Sequence, residues 1–455
     1  MDRLMVSVSG VRGVVGKTLT DEIARDFGRA FATMLGAGKT VTIARDTRPS
    51  GPVLRDAMAA GLRSCGVNVI DLGVVTTPGA AFMTKHLKAD GGVVITASHN
   101  PSEYNGIKLL QPIGTGLTAS AAERLKEIWS SGSFAPVDPG RRGRESVNDE
   151  THRLHIEAVC AVCDPAAIAG GRFKVVLDSA NGAGCIVTPM LLARLGCEVI
   201  SINGEPNGRF AHPPEPVEEN LSQLCEEVRK VGADVGFAQD ADADRLAIVD
   251  ERGAFIGEEY TLALSAAFVL RRRKGKLATN LVTSRKVDDV AAAAGCEVVR
   301  APTGEANVVE AMLREGCIFG GEGGGGAIEP RVVPVRNSLV AIAYVLQHLA
   351  ETGKTVSQLV DDIPRYVMLK TKFPCPAGAA EQVTAAAKAA FGGRPGAKLN
   401  DADGLRVDLP DGWVCARASN TEPIMRIIAE AADEPKARVL VDEMRAIADK
   451  AIGGD

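Results

Sequence analysis

The sequence predicts an α/β fold: three similar α/β units in series, followed by a smaller α+β unit. Three observations carry that prediction. Residues 41–44 read as a strand, 52–65 as a helix and 67–71 as a strand, and this alternation continues down the chain. A junction recurs three times, as SCGVNVI from Ser64, LGCEVI from Leu195 and AGCEVV from Ala294. Each places a glycine between a helical stretch and a β-branched run, a pattern that stops a helix and starts a strand. Toward the C-terminus the pattern changes to strand-like runs at 404–409, 413–418 and 424–429, with a closing helix from about Pro435.

At 455 residues the chain exceeds what one hydrophobic core organises. The predicted units span residues 1–148, 149–250, 251–364 and 365–455. In the first, Ser120 and Glu123 have capping-box spacing and open a helix that ends near Ser131. Residues 136–148, rich in Pro, Gly and Arg, read as a linker. Asp250-Glu251-Arg252-Gly253 reads as a turn closing the second unit, and 361–364 as a further linker.

The composition, 45% hydrophobic and 24% charged with a net charge of −5, is that of an ordinary globular protein. It argues against a nucleic-acid binder, since no Lys/Arg-rich stripe stands out. The one basic cluster, Arg271-Arg272-Arg273-Lys274, closes an apolar helical segment, where positive charge suits a helix C-terminus. Arg3 and Arg12 interrupt any secretory signal, and uncharged runs such as 338–350 are too short to span a bilayer. A cytoplasmic monomer or homodimer is expected. Ten cysteines without a disulfide-framework spacing suit a reducing compartment. His152, His155, Cys160 and Cys163 raise the question of zinc. On a helix the two pairs lie roughly 12 Å apart along the axis, too far to surround one ion, so an amphipathic helix is predicted.

Four loops carry the chemistry. VVITASHNP, residues 93–101, runs an apolar strand into Ser98, with His99 beside it and Lys108 shortly after. An Asn-Pro turn is one reading, and a nucleophile held on a rigid edge is the other. QDADADR, residues 239–245, lies between VGFA and LAIVD. Its aspartates Asp240, Asp242 and Asp244 alternate on one side of an extended segment and repel unless a hard cation sits among them. An EF-hand does not fit, because Arg245 stands at the glycine position and strands flank the loop. GGEGGGG, residues 320–326, is a short loop between ordered segments, where glycine permits close approach to a ligand and Glu322 can accept hydroxyl hydrogen bonds. RASNTEP, residues 417–423, combines a guanidinium, hydroxyls, an amide and turn N–H groups, a fitting phosphate cradle. SGVRG, residues 9–13, adds Arg12.

Taken together, these motifs resemble those of the α-D-phosphohexomutase family, over nearly the whole chain and in the family's order. TASHNP with NGIK at 105–108 resembles its phosphoserine loop, DADADR its magnesium loop, GGEGGGG its sugar-binding loop and RASNTEP its phosphate-binding loop. The resemblance implies four domains around a central cleft. It implies a hexose-phosphate mutase that interconverts 1- and 6-phosphates of glucose or mannose, through a phosphoserine and a hexose 1,6-bisphosphate. A dedicated phosphoglucosamine mutase is the alternative. By this resemblance Ser98 carries the phosphoryl group, and Asp240, Asp242 and Asp244 hold Mg²⁺ with an oxygen of phosphorylated Ser98. Arg12, His99, Lys108 and Arg245 surround the transferring group, the general base being open among Lys108, His99 and Arg12. Glu322 grips sugar hydroxyls, while Arg417, Ser419, Asn420 and Thr421 anchor the phosphate that does not react.

Elementary electrostatics agrees. Three aspartates and a dianionic phosphoserine carry about −5 against the metal's +2, so several cations must complete the site. Many family members carry a serine and a histidine in the sugar loop, where Gly324 and Gly326 stand here. That loop then offers few contacts to the sugar's C2 substituent, so both glucose and mannose phosphates are expected to react. Two other readings compete. A haloacid-dehalogenase-like phosphatase would use Asp240 as nucleophile but leaves TASHNP and RASNTEP without a role. A non-catalytic sugar-phosphate-binding protein needs neither a phosphate on Ser98 nor a metal.

Overall fold

The computed structural model describes residues 4–7, 10–376, 378–419 and 423–453. They form four sheets. The first orders its strands Met5–Ser7, Gly10–Val14, Tyr104–Leu110, Gly91–Ile95, Thr40–Arg45, Asn68–Val74 and Glu145–Val147. The second runs Leu246–Val249, Val235–Gln239, Lys174–Asp178 and Glu198–Ile202; the third runs Gly326–Ile328, Phe319–Glu322, Leu277–Asn280 and Val298–Ala301.

One arrangement repeats in all three. Two parallel strands sit side by side, a further parallel strand pairs with the earlier one, and an antiparallel hairpin partner closes on that further strand. The hairpin loops are residues 96–103, 240–245 and 323–325. Each chemical loop of the first three units therefore occupies the same topological place. The strand leading into the first two of these loops is buried along its whole length, which is why VVI and VGFA read as continuous apolar runs.

The recurrent junction has a backbone cause. Gly66, Gly196 and Gly295 have φ of +81°, +76° and +66°. They follow the helices Gly51–Ser64, Gly184–Arg194 and Lys286–Ala293 and precede the strands Asn68–Val74, Glu198–Ile202 and Val298–Ala301. A residue with a Cβ would resist that left-handed conformation, so glycine is the economical helix stop there.

Several local expectations change. The helix Ala119–Ser131 is capped by Thr118, whose hydroxyl accepts from the Ala121 N–H, so the capping box at Ser120 and Glu123 does not form. Thr118 holds the extended backbone that an N-cap needs, two residues earlier than the spacing suggested. Residues 136–148 are more than a linker, because Glu145–Val147 adds a parallel edge strand to the first sheet. Residues 151–160 are helical, and the run at 338–350 belongs to the helix Ser338–Thr352, buried along most of its length. A helix apolar all round belongs in an interior, and this one packs on helices of both the second and the third units. No single described helix is long and apolar enough to cross a membrane.

The fourth sheet is antiparallel throughout, in the order Val367–Pro374, Ile424–Ala431, Gly412–Ala418, Leu405–Leu409 and Lys398–Asn400. Helices Ala379–Phe391 and Glu434–Gly453 cover it. Its two edge strands and the first helix escaped the sequence reading. Edge strands are half solvated, so their apolar periodicity is weak.

Candidate active site

The first hairpin loop presents Ser98 at φ +50°. A non-glycine residue in that region costs about 1 kcal/mol, so neighbours must hold it there. Arg48, fully buried, does so: its Nη2 donates to the carbonyls of Ser98 (2.8 Å) and Asn100 (2.6 Å), its Nη1 to those of Pro101 (2.7 Å) and Tyr104 (3.0 Å). Asp46 accepts from Arg48 Nε and from the Thr96 hydroxyl, and Thr96 Oγ1 in turn accepts from the Ser98 N–H. The loop is thus clamped from beneath, and Ser98 is only 3% exposed. Its hydroxyl donates to Asp240 Oδ2 at 2.7 Å, while His99 Nδ1 lies 3.4 Å away.

The second hairpin loop meets it. Asp240, Asp242 and Asp244 are buried, and one oxygen from each lies within 4.8 Å of the others. Asp240 Oδ1 accepts from the N–H groups of Asp244 and Arg245, which fixes the turn in which Ala243 takes φ +52°. Asp242 Oδ2 accepts from the Thr77 hydroxyl (2.5 Å) and Lys108 Nζ (2.6 Å); Asp244 Oδ2 accepts from Arg336 Nη2 (2.8 Å) and Lys108 Nζ (3.4 Å). Among the described residues Asp242 Oδ1 and Asp244 Oδ1 are buried with no donor. Such orphaned carboxylate oxygens are expensive unless something cationic faces them. The three-carboxylate oxygen set fits a hard divalent ion.

The repulsion expected among the aspartates is resolved unevenly. Burial, then Asp244 and Asp242, push the Asp240 carboxyl well above the usual range. Burial acts the same way on Asp242, but the Lys108 charge and hydrogen bond, with Thr77, hold it well below. Burial opposes the Lys108 charge, yet Asp242 and Asp244 keep its pKa above the ordinary lysine value. His99 is pushed down to about 3 by burial and by Arg245 and Arg12, so it is neutral at physiological pH. Arg12 donates to Asn100 Oδ1 at 2.6 Å.

The third hairpin loop is built differently. Glu322 Oε1 accepts from Asn280 Nδ2 (2.8 Å) and the Gly304 N–H (3.1 Å), and Oε2 from Arg336 Nη1 (3.2 Å). A Cβ on Gly323 would sit 2.0 Å from Glu259 Oε2, on Gly325 2.5 Å from the Leu246 carbonyl, and on Gly326 2.2 Å from Arg336 Cδ. These glycines give clearance to protein groups, where the sequence suggested clearance for a ligand. Gly324 alone is open, its nearest neighbour being Arg245 Nη1 at 3.9 Å.

One cavity of about 220 Å³ gathers six of the expected residues: Arg12, Ser98, His99, Lys108, Arg245 and Glu322. The three aspartates lie beneath it. Gly324, Arg417 and Ser419 are not in its wall. Arg417 Nε donates to Asp403, which also accepts from the Thr303 N–H, beside the Gly304 and Glu305 that do line it. Ser419 donates its N–H to the Ile424 carbonyl. Asn420 and Thr421 lie outside the described residues, as does Ser9. Sequence reasoning missed Arg48, Thr77, Glu305 and Arg336. Only the DTR of Asp46-Thr47-Arg48, charged residues directly after a strand, left a local signal.

Asp240 accepts hydrogen bonds from two backbone N–H groups and from the Ser98 hydroxyl, which ties the second hairpin loop to the first. The four-domain order is matched throughout by family models. Phosphoglucomutase/phosphomannomutase alpha/beta/alpha domains I, II and III match residues 3–136, 153–253 and 257–366, and the C-terminal domain matches 369–447. A "Phosphoglucomutase/phosphomannomutase" of Thermococcus kodakarensis is 42% identical over 435 residues, 94% of this chain and 95% of that one. A "Probable phosphoglucosamine mutase" of the same organism is 40% identical and covers 98% of both chains. A crystal structure of a phosphoglucomutase/phosphomannomutase family protein from Burkholderia thailandensis, 29% identical, superposes with a TM-score of 0.86 over 99% of both chains. The chain belongs to the α-D-phosphohexomutase family of phosphoglucomutase/phosphomannomutase-type isomerases.

Proposed function

We propose that this enzyme interconverts hexose 1- and 6-phosphates by way of a phosphate carried on Ser98. The observation that carries this is the Ser98 hydroxyl, donated to Asp240 at 2.7 Å in a cavity also walled by Arg12, Lys108 and Glu322. A buried serine in a costly backbone conformation, clamped by Arg48, is suited to hold a transferable group in one place.

The phosphoryl group of phosphorylated Ser98 passes to the free hydroxyl of a hexose phosphate, giving a bisphosphate. The bisphosphate turns round, and its other phosphate returns to the Ser98 oxygen. Phosphoryl transfer asks chiefly for alignment and charge neutralisation. Arg12, Lys108 and Arg245 supply positive charge around Ser98, and neutral His99 contributes a hydrogen-bonding ring nitrogen. Asp240, Asp242 and Asp244 would hold Mg²⁺, which supplies further charge stabilisation to the phosphoryl oxygens. In the unphosphorylated protein the Ser98 proton points at Asp240 Oδ2. Glu322, oriented by Asn280 and Arg336, accepts sugar hydroxyls, and the loop with Arg417, Ser419, Asn420 and Thr421 anchors the second phosphate. The cytoplasm, where sugar phosphates are found, is the compartment this reading implies.

Intact-mass measurement after incubation with a hexose 1,6-bisphosphate tests the reading. One added phosphate is expected on the natural protein and none on Ser98→Ala. Turnover by a folded Ser98→Ala variant, or undiminished turnover after exhaustive chelation, overturns it.

A further inference from the structure

The C-x-x-C pair Cys160 and Cys163 has no part in the reaction just described, and neither residue lines the cavity beside Ser98. Cys160 is the last residue of the helix Thr151–Cys160. The turn runs on past it, because the Ala161 N–H donates to the Glu157 carbonyl (2.9 Å) and the Val162 N–H to the Val159 carbonyl (3.1 Å). Residues three apart on such a turn have Cα atoms roughly 5 Å from each other, within the span that a disulfide bridges. The Cys163 side chain folds back along the turn, its Sγ 3.8 Å from the Cys160 carbonyl oxygen. Asp164 fixes the far end: its N–H donates to Gln347 Oε1 (2.9 Å), and its Oδ1 caps the helix Pro165–Gly171. Both thiols are half-buried and unbridged.

A metal does not account for the pair. His155 is committed elsewhere, with Nε2 2.9 Å from Asn337 Nδ2 and its ring stacked on Phe82. Among the described residues, neither cysteine belongs to a group of three metal-ligating side chains. Thiol chemistry remains. A hydrogen bond with Cys163 brings the Cys160 thiol down to about 7, against burial, with Arg194 assisting and Glu157 opposing. The same bond, burial and Asp164 push Cys163 up. Burial lifts the half-buried Cys185 and Cys197 to about 12. The thiolate is the reactive form, so Cys160 is placed to attack and Cys163 to resolve.

We propose that Cys160 and Cys163, held on one turn, are a redox modification site that hydrogen peroxide oxidises to an intramolecular disulfide. The Cys160 thiolate attacks one peroxide oxygen. The O–O bond breaks, and hydroxide leaves and takes up the proton that Cys160 had released. Cys160 is then a sulfenic acid. The Cys163 thiol attacks its sulfur, the S–S bond forms, and the sulfenic oxygen leaves as water with the Cys163 proton. The dithiol loses two electrons, the peroxide gains two, and two waters form. The disulfide returns to the dithiol by exchange with an external thiol, whereas a cysteine without a resolving partner is open to irreversible oxidation. This inference stands apart from the mutase reading, since neither sulfur touches the cleft.

Peptide mapping of the natural protein tests it. The reduced protein is treated with a small molar excess of hydrogen peroxide, blocked with N-ethylmaleimide and digested with trypsin. Residues 154–172 form one tryptic peptide that holds Cys160, Cys163 and no other cysteine. That peptide is expected to lose two hydrogens and carry no maleimide, and dithiothreitol before blocking should restore two maleimides. Two maleimides on it after peroxide, while other cysteines are oxidised, overturn the proposal. Two variants assign the roles. Cys163→Ser should stop at a sulfenic acid on Cys160 that dimedone captures, and Cys160→Ser should give neither disulfide nor adduct on this peptide. Equal dimedone capture by both variants overturns the order of attack. Iodoacetamide at pH 7 should alkylate Cys160 at least about tenfold faster than Cys185 or Cys197 in the natural protein, and equal rates overturn the proposal.

Discussion

The hairpin loops of the second and third sheets occupy the same place in the same strand order, yet they solve opposite problems. Residues 240–245 bring their own charges and bury them, and the surroundings supply Lys108, Thr77, Ser98 and Arg336 to make that tolerable. Residues 323–325 bring no side chain at all. Charge reaches that loop from elsewhere: Glu259 presses on Gly323, Arg336 lies against Gly326, and Glu305 comes from the helix Glu305–Glu315. A loop that carries its chemistry in consecutive residues has a motif. A loop that borrows its chemistry shows only the clearance its visitors need.

The sharpest way to break this comparison is Asp242→Asn. Turnover should fall about a thousandfold with the loss of a charged metal ligand, roughly 4 kcal/mol in the barrier. The structure also decides a sign that carboxylate repulsion alone would have reversed. Asp242, fully buried, is the principal partner of the partly buried Lys108, so the chelated variant should be less stable by about 2 kcal/mol, read from denaturant midpoints. A more stable chelated variant would show that repulsion, not the Lys108 pair, dominates.

Gly325→Ala probes the other loop. Its φ of +85° and a Cβ placed 2.5 Å from the Leu246 carbonyl strain a contact through which Leu246 donates back to the Gly325 carbonyl. A destabilisation of about 2–3 kcal/mol is expected in thermal or urea unfolding. An unperturbed melting curve would mean that the two loops do not press on each other in solution.

Glu259→Gln gives a smaller, pH-dependent effect. Burial raises the Glu259 carboxyl from its ordinary 4.5 to about 7, partly offset by the Ser284 N–H. The folded value exceeds the unfolded one, so stability is fully present below about pH 4.5 and is lost as pH rises to about 7. Glutamine keeps the acceptor and removes the ionisation. It should be stabilising by roughly 2 kcal/mol at pH 8 and nearly neutral at pH 5, measured as urea midpoints at the two values. A constant difference across that range would assign the effect to packing.

Gly324→Ser should do least, within about 0.5 kcal/mol of stability, because that position is open. A destabilisation well above that, read from urea midpoints, would mean that Gly324 is packed against its neighbours in solution.

The sequence by itself determined the α/β class, the threefold repeat and the motif loops, because strand periodicity, helix-stop glycines and consecutive charges are local. Ser98, Lys108 and the three aspartates stood out on that ground alone. The edge strands Val367–Pro374 and Lys398–Asn400 did not, because half-solvated strands carry little apolar signal. Only the tertiary structure decided what holds Ser98 and what ties the aspartates to Glu322. Arg48 lies fifty residues from the serine it clamps, Thr77 and Lys108 reach Asp242 from another domain, and Arg336 ties Asp244, Glu305 and Glu322 into one network. Each is a long-range ion pair or hydrogen bond between residues with no shared period and no fixed spacing. Their energy depends on burial and on angle, quantities that exist only once the sheets have packed.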